Sequence, residues 1–251
     1  MISNTSTRCM GYDVFTGDLG VLLAMQKATV NTINQYSYCV AKKDETFSQA
    51  LRQSDILLPD GIGITVAAKI LNGDKIRKIA GADLHAYLLE HMNLKGGSCF
   101  YLGSSQATLD KIKKRLSTEY PNIKVGTYSP PYKPVFSLVD NDKMLAAVNG
   151  FKPDVLFIGM TAPKQEKWSR QHKDQLDAGL ICAIGAVFDF YAGTVQRPSK
   201  VWRDLGLEWL GRLIKEPKRM WKRYLYNGVI FCGYLLKEKY YHVARRKGSY
   251  Q

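Results

Sequence analysis

Two hydrophobic periods take turns along this chain. Short apolar runs bounded by glycine, proline or polar clusters read as buried strands at Ala28 to Ile33, Asp55 to Leu58, Ser98 to Leu102, Ile123 to Thr127, Val155 to Ile158 and Leu180 to Ile184. Between them, apolar residues recur every three or four positions, as in "DLHAYLLEHMNL" (83 to 94) and "ATLDKIKKRLSTEY" (107 to 120), which predicts amphipathic helices. Strand and helix in alternation predict an α/β domain built on a largely parallel sheet. The run "YSPPYKP" (128 to 134) predicts a surface loop, and no strand is assigned before residue 28.

The pattern changes near residue 196. Beyond it no strand is predicted, and basic, aromatic, amphipathic helices take over. The chain therefore divides into an α/β core (1–196) and a helical appendage (197–251). The fold class is α/β: a Rossmann-like, largely parallel sheet flanked by helices, with a C-terminal basic amphipathic appendage. Charge sharpens this division. Of the formal net charge of +14, the appendage holds +10, from 14 Lys and Arg against 4 Asp and Glu. Its longest apolar stretch, "YLYNGVIFCGYLL" (224 to 236), has 13 residues, short of the roughly 20 that a membrane-spanning helix needs. It is suited to lie on a bilayer. The N-terminus shows no signal-peptide pattern. The five cysteines are odd in number and widely spaced, which predicts reduced core residues and a cytosolic chain. No CxxC or Cys/His cluster points to a metal.

Candidate chemistry gathers where strands end. "ILLPDGIGI" places Asp60 on a strand-to-helix turn, either as a helix cap or as a functional carboxylate. "VNTINQ" ends a strand with Thr32 and Asn34, side chains that suit sugar hydroxyls and acetamido groups and equally suit a turn. "CFYLGSSQATLDKI" sets Gly103 and Ser104 before a helix, an arrangement open to phosphate or to plain capping. "VLFIGMTAPKQEKW" repeats it with Gly159, then Lys164, Gln165 and Glu166 on a helix's first turn. "ICAIGAVFDFYAG" presents Asp189 between two phenylalanines, as a buried cap or as a partner for ribose or base. Five polar turns at one sheet edge mark the place where an α/β enzyme assembles its site. Dinucleotide and Walker-type phosphate loops and the Gly-x-Ser-x-Gly elbow are absent.

The succession "LLPDGIGITVAAKIL", "AGADL", "FYLGSS", "IGMTAPKQEKW", "AIGAVFDFYAGTVQRP" and "LGLEWLGRLIKEPKRMWKRYL", in order over roughly residues 28 to 227, closely resembles the WecG/TagA/CpsF glycosyltransferases of bacteria. The resemblance implies inverting transfer of an N-acetylmannosamine-type sugar from a UDP-sugar donor to a polyprenyl-diphosphate-linked sugar acceptor. It implies no cofactor and no essential metal, and a peripheral enzyme at the cytoplasmic face of the membrane. By position, Asp60 matches the catalytic base, Thr32 and Asn34 the substrate-binding Thr-x-Asn, Gln165 a site glutamine, and Arg212 and Arg219 the basic tail that closes the site. Gly103, Ser104, Gly159, Lys164, Glu166 and Asp189 are then the nucleotide-binding candidates.

The appendage's basic and aromatic residues fit an anionic membrane surface, where each Lys or Arg is worth ~1 kcal/mol. The same composition fits RNA, so a basic nucleic-acid-binding protein is the rival reading, although the crowded strand ends argue against a nucleic-acid partner. A nucleotide-sugar-modifying enzyme without a lipid acceptor is the second rival. Oligomeric state is open, with a homo-oligomer among the options.

Overall fold

The computed structural model describes residues 6–199, 201–202 and 206–248. Its centre is a six-stranded, wholly parallel sheet formed by β3 (Ala28–Ile33), β4 (Ile56–Pro59), β5 (Ser98–Gly103), β6 (Lys124–Tyr128), β7 (Val155–Gly159) and β8 (Leu180–Ala183), in the spatial order β4-β3-β8-β7-β5-β6. All six correspond to the strands read from the hydrophobic pattern, with ends that differ by a residue. The side-chain period of two sorts each strand between two faces. Cys99 and Tyr101 of β5 enter one apolar layer, while Phe100 and Leu102 enter the other.

Helices cover both faces. α1 (Gln35–Ala41), α2 (Glu45–Arg52) and α3 (Ile62–Asn72) follow β3 and β4, and α4 (Gly81–Lys95) and α5 (Gln106–Glu119) bracket β5. α6 (Leu138–Phe151), α7 (Lys164–His172) and the short α8 (Val187–Tyr191) complete the core. The chain leaves β3 toward β4 on one side while β5 to β8 occupy the other, which opens a crevice beyond the carboxyl ends of the strands.

An antiparallel hairpin, β1 (Ser6–Cys9) and β2 (Tyr12–Phe15), precedes the sheet. Its two-residue turn holds Met10 at φ 51° and Gly11 at φ 85°. Tight hairpins favour that left-handed geometry, but Met is not a residue that announces it, so the hydrophobic pattern passes over this element.

The appendage comprises α9 (Glu208–Lys215), α10 (Pro217–Trp221), a π-helical turn (Lys222–Tyr226) and the long α11 (Asn227–Gly248). α11 does not trail free. Phe231 and Leu235 are buried in the apolar cluster of α1, α2, α3 and the hairpin, and Phe231 meets the Tyr38 ring edge-on at 5.4 Å. Four of the cysteines are reduced and buried as expected, but Cys232, on this helix, is exposed.

Phe231→Ala removes a buried ring that nothing nearby can replace and should destabilise the protein by about 3 to 5 kcal/mol. Urea unfolding followed by far-UV dichroism measures this. A change under about 1 kcal/mol would mean that α11 contributes nothing to the core, since such truncations in cores rarely cost so little.

Candidate active site

The sheet register sets Asp60 at the crevice. Its amide donates to the Ile33 carbonyl at 2.9 Å, extending the β3–β4 pairing one residue beyond the strand. Gly61, at φ 109°, then turns the chain, and α3 starts with Gly61 at its cap position and no side-chain cap. The Asp60 carboxylate is therefore not spent on capping. Burial raises its pKa to about 6, with Glu208 adding to the rise, Lys78 and Arg223 opposing it, and Asp83 adding a smaller repulsion.

Beside it, β3 ends in Thr32 and Ile33, and Asn34 follows. Asn34 caps α1: its Oδ1 accepts from the Ser37 amide at 3.0 Å, and Ser37 Oγ accepts from the Asn34 amide at 2.8 Å. Gln35 then lies against the start of α3. A Cβ at Gly63 would fall 2.4 Å from Gln35 Cγ, so any larger residue there would have to displace the Gln35 side chain.

On the far side of the crevice, β5 and β7 end together, with Gly103 in register with Gly159. A Cβ on Gly103 would sit 2.4 Å from the Gly159 carbonyl oxygen, and one on Gly159 would meet the Phe188 ring at the same distance. Ser104 adopts φ 59°, and α5 begins at Gln106, one residue before the predicted start at 107. Ser105 is the cap of α5, its Oγ accepting from the Thr108 amide at 3.3 Å.

α7 carries a buried polar chain. Gln165 Oε1 accepts from the Met160 amide at 3.2 Å, and Gln165 Nε2 donates to Glu166 Oε1 at 2.9 Å. Glu166 is only 2% exposed, its Oε2 has no partner among the described residues, and burial lifts its pKa to about 7. Lys164 turns away, donating to the Lys133 carbonyl and lying 3.5 Å above the Phe136 ring, which ties α7 to the proline-rich loop. Asp189 closes the turn after α8, where its carbonyl accepts from the Thr194 and Val195 amides and its carboxylate from Thr194 Oγ1 at 3.4 Å.

The appendage supplies the remaining charges. Arg197 Nε pairs with Glu208 Oε1 at 3.1 Å, and Arg197 also reaches Asp83 Oδ1 at 3.2 Å. Lys78 Nζ pairs with Glu208 Oε2 at 3.1 Å. Burial alone would raise the pKa of Glu208, but Arg197 and Lys78 outweigh it and hold the carboxyl below its usual range. Arg212 lies 5.2 Å from the Phe190 ring, with its buried Nε unpartnered among the described residues. Arg223 lies 4.7 Å from the Tyr36 ring and acts electrostatically on both Asp60 and Glu166. Burial pushes up the Tyr224 phenol, and Arg212, Arg223, Asp60 and Glu208 all influence it.

Thus the structure sets Thr32, Asn34, Asp60, Gly103, Ser104, Gly159, Gln165, Glu166 and Asp189 at or just beyond the carboxyl ends of β3, β4, β5, β7 and β8. Arg212 joins them from α9. Arg219 does not: it is more than half exposed and pairs with Glu216 at 2.8 Å on its own helix. Arg223 takes the inward place. No role is read from the sequence for Lys78, Asp83, Arg197, Glu208, Arg223 or Tyr224. All but Lys78 stand in segments that carry the family resemblance: Asp83 in "AGADL", Arg197 in "QRP", and Glu208, Arg223 and Tyr224 in "LGLEWLGRLIKEPKRMWKRYL".

Comparison with known proteins identifies the family. The model of the family described as "Glycosyl transferase WecG/TagA/CpsF family" matches residues 2–245. A Bacillus subtilis (strain 168) protein named N-acetylglucosaminyldiphosphoundecaprenol N-acetyl-beta-D-mannosaminyltransferase is 33% identical over 198 residues, 79% of this chain and 75% of the relative. Proteins of the same name from Bacillus spizizenii (strain ATCC 23059 / NRRL B-14472 / W23) and Staphylococcus aureus (strain MW2) are 26% and 24% identical, covering 74% and 72% of this chain and 70% and 69% of theirs. The match spans core and appendage together, and the chain belongs to the WecG/TagA/CpsF family of glycosyltransferases.

Proposed function

We propose that this glycosyltransferase transfers an N-acetylmannosamine-type sugar, with inversion, from a UDP-sugar to a polyprenyl-diphosphate-linked N-acetylglucosamine. It would do so at the cytoplasmic face of the bacterial membrane, in the synthesis of a cell-surface polysaccharide. The observation that carries the reading is the buried Asp60 carboxylate, which caps no helix and lies within the field of Lys78 and Arg223, in a chain whose relatives bear the transferase name above.

In the reaction, the acceptor hydroxyl attacks the anomeric carbon as its proton passes to the Asp60 carboxylate. A new C–O bond forms, the bond to the diphosphate breaks, and the electron pair leaves with the diphosphate. With a pKa of about 6, Asp60 is mostly ionised at neutral pH yet more basic than an exposed aspartate, as a general base should be. Arg212 and Arg223 are assigned to the charge that gathers on the leaving diphosphate, a task that fixed cations in a desolvated crevice perform well. The nucleotide is assigned to the ends of β5 and β7, where Gly103 and Gly159 let it approach the backbone and Ser104 lies alongside, with Gln165 and Asp189 bordering the sugar and nucleoside. Thr32 and Asn34 are assigned to the acceptor side of Asp60.

No helix among the described residues is long and apolar enough to cross a membrane. The appendage is instead assigned to a membrane surface, with Ile214, Trp221, Leu225 and Tyr226 exposed among its basic residues. Sedimentation with anionic vesicles at physiological salt, without binding of a single-stranded RNA, is the expected outcome. RNA binding without vesicle binding would favour the nucleic-acid reading instead.

Asp60→Asn keeps shape but cannot take the proton and should lower kcat about 10²- to 10⁴-fold with folding intact. In the unsubstituted protein kcat/KM should fall about tenfold per pH unit below pH 6, because protonation removes the base. Glu208→Gln removes a negative charge that raises the Asp60 pKa, so this acid limb should move to lower pH. A limb that stays put would assign it to another group.

With arginines serving the diphosphate, transfer should persist in EDTA. Arg223→Ala should reduce kcat by about 10²-fold, the scale of losing one transition-state electrostatic partner. Activity abolished by chelation and restored by Mg²⁺ would overturn the assignment of the arginines.

A further inference from the structure

α3 is apolar on the side that should be polar. A surface helix ordinarily turns charged residues outward, yet the outward positions of α3 include Ile62, Val66 and Ile70, at 39%, 42% and 42% exposure, with Lys69 its sole charged residue. These three share one face at four-residue spacing and form a strip about 12 Å long at 1.5 Å per residue. The strip begins two residues after Asp60. It is bordered by α11, which packs on α3 through Phe231 and Leu235 and whose Lys239 donates to the Ile70 carbonyl at 2.6 Å. Cys232 and Leu236 share the stripe of α11 that carries Lys239, and both are exposed. At the Asp60 end, the appendage roofs the strip, since a Cβ on Gly206 would fall 2.6 Å from Ile62 Cδ1.

The strip leaves the crevice at Asp60, where Arg223 lies over the Tyr36 ring, and runs as uncovered aliphatic side chains to Ile70, where Lys69 and Lys239 flank its far end. A sugar-diphosphate head held in the crevice has its aliphatic tail directed along α3.

We propose that the outer face of α3, flanked by α11, is the track on which the first isoprene units of the acceptor's polyprenyl chain lie, with its sugar-diphosphate head at the Asp60 end. The track rests on the acceptor reading given above and adds where the lipid is held.

The test compares the unsubstituted protein with Val66→Ser/Ile70→Ser, which leaves Ile62 under its roof. Acceptors with one sugar-diphosphate head and one, two or three isoprene units are used without detergent, and farnesyl diphosphate binding is compared with that of inorganic diphosphate by calorimetry. In the unsubstituted protein kcat/KM should rise by about tenfold per added unit as its carbons leave water. In the variant the rise should shrink to about threefold or less, with turnover of the shortest acceptor unchanged, and the affinity advantage of farnesyl diphosphate should shrink about tenfold, in proportion to the apolar area lost. An unsubstituted protein indifferent to chain length, or a variant that keeps the full gain, overturns the proposal. So does a variant that keeps the gain while losing only vesicle sedimentation, or only self-association, since the strip would then serve a leaflet or a second copy. If no acceptor receives sugar but farnesyl diphosphate binding still responds to the substitutions, the transferase reading fails and the track stands.

Discussion

A carboxylate buried in a crevice needs counter-charge that the local chain does not supply, and the surroundings of Asp60 are arranged around that constraint. The nearest residues of β4 and α3 are aliphatic or glycine. Lys78 comes from the loop before α4 and Arg223 from the appendage, and Lys78 is held in place by Glu208. Arg197 and Lys78 grip its two oxygens, and Arg197 reaches on to Asp83 at the start of α4. Glu208, Arg197 and Lys78 form the partly buried centre of this network, and Asp83 forms its exposed edge. Losing the central carboxylate would leave two partly desolvated cations unpaired, a larger loss than an exposed bridge gives. The same Glu208 that anchors the appendage also raises the pKa of Asp60, so position and basicity depend on one side chain.

This coupling explains why the sheet was legible in the sequence and the roof was not. A buried parallel strand is a local pattern: "CFYLG" and "VLFIG" can be read without knowing what packs on them. Asp60, Gln165 and the glycines at strand ends inherit that legibility because the fold rule sends them to one edge. The Arg197–Asp83 and Lys78–Glu208 pairs join residues more than a hundred positions apart, and no local period records them. Their residue types are also those of an ordinary solvated surface.

Arg219 and Arg223 show the limit more sharply. Both stand in a basic, helical stretch, and a single α-helix running from Arg212 would carry both to one face. Glu216 breaks that helix with φ at −133°, and the π-helical turn Lys222–Tyr226 resets the register. Arg219 is left to Glu216, and Arg223 swings inward over Tyr36. π-helical turns cost hydrogen-bond geometry and recur where a side chain must be re-aimed, which no hydrophobic pattern announces.

The way α11 seats itself decides how far the basic tail can be treated as a separate part. Its Phe231 and Leu235 complete an apolar cluster that also contains Ile33 of β3 and Leu57 of β4, the strands that end at Asn34 and Asp60. Exposed rings and aliphatic side chains on the other turns of the appendage remain available to a membrane. One helix therefore touches the interior beneath the site and the surface beyond it. A bilayer that engaged the outer face would act on a segment already fastened to the strands that lead to Asn34 and Asp60, so under the proposed function the appendage is a wall of the crevice before it is an anchor. Packing in this core is too dense for such a wall to shift without disturbing Tyr38, which meets Phe231 and Tyr234 edge-on and sits on the helix that Asn34 caps. Any substitution that loosens α11 should therefore register first in the crevice and only afterwards in membrane contact.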